Sequence, residues 1–224
     1  MPLEENFIEN FYSKIYIIHW KPLTDRKKYL EEKLKEFGLT HLVEWVDQYD
    51  KPETVKNIKN AFHINPRLLC VNQSHIYCYK QQIKHKYKHI LILEDDIDFE
   101  SINFRTYLEQ TAFEFEKLDG DVAFLSSCCG MEVKDKKPPT LLYYDPSYIT
   151  RCTGAYIINL RCVESLLIAA KVNCHAIDRI LNYFLPRMKI RVLWSGLIIK
   201  QGSETGKYKS SFLDIRDEHG NYKS

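Results

Sequence analysis

The feature that most constrains the fold is a short apolar run that ends in a cluster of acidic residues. Residues 89–93 (HILIL) are almost continuously apolar, and Glu94, Asp95, Asp96 and Asp98 follow directly. An apolar run of this length without polar alternation is typical of a strand buried on both faces, as in a parallel sheet. Since parallel strands are joined by crossover connections, usually helices, the run predicts an α/β fold.

The rest of the chain alternates strand and helix patterns, which supports the same fold class. Strands are predicted at 15–18, 41–46, 89–93, 122–126, 141–144, 154–159 and 190–199. Helices are predicted at 24–37, 66–86, 103–117, 163–170 and 176–185. Residues 132–139 are predicted to form a surface loop, and the segment from Gln201 to be loop or disorder. No repeat or linker divides the chain, so one domain of residues 1–224 is predicted, with a core at about 13–203 and a tail at 204–224.

Composition and charge exclude several classes of protein. With 45% apolar and 28% charged residues the chain is expected to be globular. The formal net charge of +2 argues against a dedicated nucleic-acid-binding protein, which needs a strongly positive face. No apolar run reaches the roughly 18 residues of a transmembrane helix, and the N-terminal segment lacks the features of a signal peptide.

The cysteines indicate a reducing compartment. The chain has an odd number of them, 7, and no CxxC pair, so free thiols are favoured over a disulfide framework. The adjacent Cys128 and Cys129 are interpreted either as a redox or metal site or as the end of a buried strand. Together with the missing signal peptide, the cysteines predict a cytoplasmic protein.

The acidic cluster has two interpretations. Ligands of open α/β sheets bind beyond the carboxyl ends of strands, which is where this cluster falls. Crowded carboxylates raise one another's pKa unless a cation neutralises them, and Mg²⁺ or Mn²⁺ commonly joins one or two carboxylates to substrate phosphates. The alternative is a solvated acidic turn before the next helix, whose N-terminus favours negative charge.

Several short motifs, in a fixed order, cover residues 13–203. They are IYII at 15–18 with Asp25 and Arg26 downstream, WVD at 45–47, CVNQSH at 70–75, LEDD at 93–96, TGAYII at 153–158 and HAID at 175–178. In order and spacing, these motifs resemble glycosyltransferase family 25, the lipopolysaccharide and collagen galactosyltransferase-like enzymes. The chain departs from the family pattern at His19 and Trp20, where the family usually has Asn, in residues 134–139, and after Trp194.

The resemblance implies a fold and a reaction. The fold would be GT-A, a single Rossmann-like nucleotide-sugar-binding domain with a mainly parallel central sheet flanked by helices. The reaction would transfer galactose or glucose from a UDP-sugar to a hydroxyl of a glycan or protein-glycan acceptor, with inversion and with Mn²⁺ or Mg²⁺ as cofactor. The abundance of Lys, Ile and Asn then fits a bacterial enzyme or one from a large DNA virus.

The resemblance also implies roles for the acidic cluster. Asp96 would hold the metal, with Glu94 or Asp98 assisting, and the metal would stabilise the charge on the leaving diphosphate. Glu94 or Asp95 would hydrogen-bond the ribose of the nucleotide. Arg26 would contact the nucleotide or its phosphates, the alternative being an arginine on the surface of a helix.

A second group of candidates lies outside the cluster. Asp178 would be the base that deprotonates the acceptor hydroxyl, or else a simple helix N-terminal aspartate. His75 would orient the site or contact the diphosphate, or else be a buried core histidine. Ser74, beside His75, and His19 are further candidates for binding the donor.

Weaker candidates and other functions also stay open. Gln201, with the two residues after it, would line an acceptor or phosphate pocket. Tyr143, Tyr144 and Tyr148 would stack on a sugar ring or pack in the core. A nucleotidyl- or phosphotransferase with a second metal, releasing diphosphate or phosphate, and an inactive binding domain of the same fold are the alternative functions. No Gly-rich phosphate loop with Lys is present, which disfavours a P-loop enzyme.

Overall fold

The computed structural model describes residues 7–58, 64–100, 102–126, 137, 139–144, 152–172, 174–197 and 199–208. Cys128, Cys129 and Tyr148, most of the predicted loop at 132–139 and the tail from residue 209 lie outside the described residues.

The described elements agree with most of the predicted ones. The strands are β1 (Lys14–Ile18), β2 (Val43–Val46), β3 (His89–Glu94), β4 (Ile97–Asp98), β5 (Val122–Phe124), β6 (Leu142–Tyr144), β7 (Ala155–Asn159), β8 (Val192–Ser195) and β9 (Lys200–Gln201). The helices are α1 (Phe7–Phe11), α2 (Thr24–Glu36), α3 (Pro66–His85), α4 (Phe104–Lys117), α5 (Leu160–Ala170), α6 (Ile177–Phe184) and α7 (Gly202–Thr205). Short 3-10 turns lie at Thr40–Leu42, Pro52–Thr54 and Leu185–Arg187.

In the described residues, a sheet of 7 strands has the order β2-β1-β3-β7-β5-β8-β6, and β4 pairs separately with β9. β1 pairs in parallel with β2 and β3, and β5 with β8. β7 is antiparallel to both β3 and β5, and β6 is antiparallel to β8. The predicted α/β class with helices around a central sheet is therefore confirmed. Most strands share one direction, and β6 and β7 run the other way.

Alternating side chains of the strands face two separate apolar layers. Leu91 and Leu93 of β3 pack in the layer that contains α1, α2 and α4. Ile90 and Ile92 pack in the layer that contains α3, α5 and α6. Since successive strand residues point to opposite faces, an apolar run without alternation is what a strand covered on both faces requires. The central strand β3 is thereby held rigidly, and the acidic cluster follows it.

Two predicted boundaries near the C-terminus are wrong. The strand predicted at 190–199 is only β8, because the Ser195 hydroxyl donates to the carbonyl of Leu197 and accepts its N–H, which replaces the strand ladder with a local turn. The predicted loop from Gln201 is ordered at its start. Gln201 pairs with Ile97 in the β4–β9 ladder, and α7 follows it.

Two further predictions concern thiols and membranes. The described cysteines, Cys70, Cys78, Cys152, Cys162 and Cys174, are free thiols as predicted. Among the described residues, no helix has both the length and the apolar composition needed to span a bilayer.

His89, at the start of β3, makes the fold sensitive to acid. It is buried, its ring stacks on Phe11 at 4.1 Å between centroids, and burial, followed by the nearby Lys88, lowers its pKa to about 4. This pKa lies below the unfolded value of 6.5. The contribution of His89 to stability is therefore complete above about pH 6.5 and is lost as the pH falls toward 4. In the wild-type protein, we expect His89 to lower the free energy of unfolding by up to about 3 kcal/mol between neutral and acidic pH. His89→Phe is expected to lack this decrease, which urea unfolding at the two pH values measures. Equal losses in both proteins would contradict this.

Candidate functional site

The acidic cluster lies at a topological switch point of the sheet. β1 leads on to its neighbour β2, whereas the connection that leaves β3 runs toward β5 on the other side, so the two connections diverge at the carboxyl ends of these strands. Open α/β sheets commonly bind ligands at such a point. Ile18 and Glu94, the last residues of β1 and β3, are register partners. The antiparallel β7 begins at the same edge because Ala155 opposes Leu93, and Thr153 just precedes it.

Asp95 joins the two strand ends. Its Oδ2 lies 2.9 Å from His19 Nδ1 and accepts the backbone N–H of Trp20 at 3.1 Å. Its Oδ1 accepts from the Arg26 guanidinium at 2.8 Å. Arg26 is only 5% exposed, so the interpretation as a surface arginine is wrong; its guanidinium also lies 5.0 Å from the ring centroid of Tyr208. Both oxygens of Asp95 are thus used in fastening the loop after β1 to the end of β3.

Asp96 has a carboxylate oxygen without a hydrogen-bond donor. Its Oδ2 accepts from the Ser203 hydroxyl at 3.3 Å, whereas Oδ1 is buried and has no hydrogen-bond partner among the described residues. Burial, followed by the charges of Glu94 and Asp95, raises the pKa of Asp96 to about 7, although Arg26 acts in the opposite direction. A cation at Oδ1 would remove this cost, because it would neutralise the crowded charges.

Asp98 is already occupied by donors from the protein. Its Oδ1 accepts from the Tyr29 hydroxyl, the Lys207 ammonium and the Glu100 N–H, each at 3.2 Å, and its Oδ2 accepts from Thr205 at 3.1 Å. Burial opposes ionisation of Asp98, but these hydrogen bonds outweigh it and lower its pKa. Asp98 therefore holds the segment after β9 against β4.

Glu94 is the end of a buried chain of polar groups. Its Oε1 accepts from the Thr153 hydroxyl at 2.8 Å and lies 3.5 Å from His75 Nε2. On the other side of the imidazole, Nδ1 lies 2.6 Å from the Tyr156 hydroxyl, which lies 2.8 Å from the Tyr79 hydroxyl. The side chain of Glu94 is 25% exposed, whereas that of His75 is fully buried. Glu94 is thus the group through which this chain reaches solvent.

Asp178 lies at the first turn of α6, within electrostatic range of Glu94. Burial, together with the charge of Glu94, raises the pKa of Asp178, although its Oδ1 accepts the N–H of Arg179 at 2.7 Å. The loop before α6 is tied to α3, because the Asn72 amide donates to the carbonyl of His175 at 2.7 Å. The arrangement is compatible with both the helix-start and the base interpretations of Asp178.

Ser74 and Gln201 support the backbone of the region. The Ser74 hydroxyl donates to the carbonyl of Cys70 one turn earlier in α3, at 3.1 Å. Gln201 is buried and accepts from the Cys152 thiol at 3.4 Å. A Cβ on Gly154 would collide with the Gln201 amide, so the Gln201 side chain would have to move to admit any larger residue there.

The carboxylate oxygens of the acidic cluster fit a cation that is held partly by the protein and partly by a bound substrate. Within the described residues, no group of three or more His, Cys, Asp or Glu side chains is placed to bind a metal by itself. Asp96 offers an oxygen without a donor, and Glu94 acts on it electrostatically. One or two carboxylates completed by phosphate and water oxygens are a usual arrangement for Mg²⁺-like ions. Asp98 does not fit this role, because its oxygens already have donors.

Sequence reasoning missed most of the partners that orient the candidate residues. Asn72, His75, Tyr79 and Gln82 lie at i, i+3, i+7 and i+10 of α3 and are all 0% exposed. This spacing places them on one buried face of the helix that the sequence predicts at 66–86. Polar residues recurring at helical spacing along a predicted core face are the signal that would have indicated the buried network.

A shallow cleft of about 530 Å³ lies elsewhere, around Asp119, Asp121, Arg161 and Arg191. It lies at the opposite edge of the sheet, where β5 and β8 begin. Its charges already compensate one another, since the Arg161 guanidinium pairs with both Asp119 and Asp121. We therefore interpret it as part of the structural framework.

No protein-family model matches the chain, and a search of curated proteins yields no match.

Proposed function

We propose that this chain is a metal-dependent glycosyltransferase that moves galactose or glucose from a UDP-sugar to a hydroxyl of a glycan or protein-glycan acceptor, with inversion. One observation carries the proposal. At the switch point of the sheet, Asp96 has a buried carboxylate oxygen without a hydrogen-bond partner among the described residues, and burial, followed by the charges of Glu94 and Asp95, raises its pKa to about 7. Such a group is costly to ionise unless a cation is bound, and a diphosphate supplies the cation's remaining oxygen ligands.

The sheet supports the finer fold assignment, a GT-A nucleotide-sugar domain. β1, β3 and β5 end at the edge at which β7 begins, so residues from four strands meet at this edge of the sheet. The motifs that resemble family 25 meet there as well, since Arg26 contacts Asp95 and His75 lies beside Glu94.

Each residue then has a defined task in donor binding. Asp96 would hold a Mn²⁺ or Mg²⁺ ion, which would supply stabilisation of the negative charge on the departing diphosphate. Glu94, whose Oε1 is fixed by Thr153, accepts a hydrogen bond from a hydroxyl of the donor. Arg26 and Asp95 connect the segment after β1 to the end of β3, so their contribution is to position the residues that contact the sugar donor.

Asp178 takes the proton of the acceptor hydroxyl. Its Oδ1 accepts a backbone N–H, which leaves Oδ2 for the proton. Burial and the charge of Glu94 raise its pKa toward the working pH, which strengthens it as a base. The two substrates are held in line by the crevice, and much of the rate gain of a single displacement comes from this alignment.

A donor screen tests the proposal. We expect the purified protein with Mn²⁺ to hydrolyse one UDP-hexose slowly to UDP and free sugar, and to stop when the metal is chelated. GDP- and CDP-sugars serve as matched controls and are expected to be inert. Release of diphosphate or phosphate instead of UDP would favour a nucleotidyl- or phosphotransferase. A folded protein that neither turns over nor binds any of these sugar donors would contradict the proposal.

A further inference from the structure

We propose that Tyr156, supported by Tyr79, is a positioning residue that holds His75 in its Nε2–H tautomer. The Nε2–H then points at the carboxylate of Glu94. The proposal rests on the proposed function only in that Glu94 accepts a hydroxyl of the sugar donor. The chain of contacts itself is independent of the reaction.

The contacts form one continuous line. The Tyr79 and Tyr156 hydroxyls are 2.8 Å apart, and the Tyr156 hydroxyl lies 2.6 Å from His75 Nδ1. His75 Nε2 is buried and has no hydrogen-bond partner among the described residues, and the atom facing it is Glu94 Oε1 at 3.5 Å. This separation is longer than a hydrogen bond, but catalytic hydrogen bonds commonly shorten when substrate binds.

The two tyrosine protons determine in which direction the hydrogen bonds along this line are donated. Burial raises the pKa of both hydroxyls, so each keeps its single proton. If Tyr79 donates to Tyr156 and Tyr156 donates to Nδ1, the proton of the neutral imidazole is on Nε2 and points to Glu94. In this order both tyrosine protons have acceptors, and the Nε2–H faces the Glu94 carboxylate at 3.5 Å.

The reverse order is unfavourable at both ends. With the proton on Nδ1, Tyr156 would accept from His75 and donate to Tyr79. The Tyr79 proton would then have no acceptor among the described contacts, and a buried donor without a partner is costly. The lone pair of Nε2 would also face the carboxylate of Glu94, which carries no proton to give when it is ionised. The first order is therefore the one that the geometry selects.

The consequence is a preorganised acceptor. Glu94 Oε1 accepts from the Thr153 hydroxyl and faces the His75 Nε2–H, so the carboxylate would be held from two sides once the 3.5 Å separation shortens, and Oε2 is left for a hydroxyl of the substrate. His75 acts here only as a hydrogen-bond donor. Such outer partners commonly set the orientation of a group that contacts the ligand.

The tautomer is measured directly by two-bond ¹H–¹⁵N correlation of the histidine side chains, at about pH 8 so that imidazoles with the ordinary pKa of about 6.5 are neutral. We expect the wild-type His75 signals to have the Nε2–H pattern. Tyr156→Phe is expected to replace that pattern by an average of both tautomers. Tyr16→Phe is the matched control, because the Tyr16 hydroxyl is buried in the same layer without a partner, and it should leave the pattern unchanged.

Kinetics supply a second readout. Tyr156→Phe is expected to raise the KM for the UDP-sugar about tenfold with little change in kcat, whereas Tyr16→Phe should change neither. A wild-type Nδ1–H pattern, or an Nε2–H pattern that persists in Tyr156→Phe, would overturn the proposal. The wild-type spectrum decides the order of protons even if the variant fails to fold. An Nε2–H pattern in a protein without donor turnover would support the proton order and contradict only the proposed function.

Discussion

Replacing Asp95 with alanine is expected to lower the free energy of unfolding by about 3–5 kcal/mol, the usual cost of removing one partner of a buried ion pair. The carboxylate accepts from Arg26, His19 and the Trp20 N–H, and these donors are on the segment after β1. Without Asp95, the buried guanidinium loses the carboxylate that it contacts, and the loop after β1 is released from the end of β3.

Asp47→Ala is the matched control for this prediction. Asp47 also follows a strand of the sheet, but its partner Lys21 is 3.6 Å away and 54% exposed. Such a pair is expected to contribute less than about 1 kcal/mol. Urea unfolding of the three proteins compares them directly. A loss below about 1 kcal/mol in Asp95→Ala would contradict the role of Asp95 as a structural connection.

Replacing Asp96 with asparagine is expected to reduce Mn²⁺-dependent kcat/KM at least about 100-fold, because a cation contributes several kcal/mol to stabilising the leaving group. The variant keeps the shape of the side chain and its contact with Ser203. Glu100→Gln is the control: Glu100 lies in the same acidic segment, but its side chain is 67% exposed and pairs with Lys207. It is expected to retain turnover.

The same variant has an expected effect on stability without metal. The folded pKa of Asp96 is about 7, against an ordinary value of 3.8, so ionisation favours the unfolded state. Metal-free wild-type protein is therefore expected to lose stability as the pH rises from about 4 through 7. Asp96→Asn lacks this group and should be more stable than wild type at pH 8, by up to about 4 kcal/mol. Parallel pH profiles of the two proteins in chelator would contradict this.

The sequence predicted most of the fold because its signals there are local. The start of α3 is an example: the Asn65 side chain accepts the N–H of Arg67 at 2.9 Å, and Pro66 occupies the first turn. Both features can be read from adjacent residues. The place of β7 between β3 and β5 has no such local signal, because strand order depends on which distant surfaces pack together.

The candidate site was predictable as a location but not as a set of roles. The acidic cluster indicated the end of β3, but its carboxylates have different partners in the structure. Asp95 pairs with Arg26, 69 positions away, and Asp98 pairs with Lys207, 109 positions away. His75 and Tyr156, 81 positions apart, belong to different elements. Local sequence shows which groups are present, whereas their partners follow only from the packed structure.

Mn²⁺ retention measured by electron paramagnetic resonance tests the central claim most directly. The signal of free Mn²⁺ is followed while wild-type protein, Asp96→Asn or Glu100→Gln is added, with and without UDP. We expect wild-type and Glu100→Gln proteins to remove free Mn²⁺ beyond the level with UDP alone, and Asp96→Asn to remove none beyond that level. Two results would contradict a metal-dependent nucleotide-sugar site at Asp96. One is that Asp96→Asn and wild type remove free Mn²⁺ equally in the presence of UDP, and the other is that folded wild-type protein removes none.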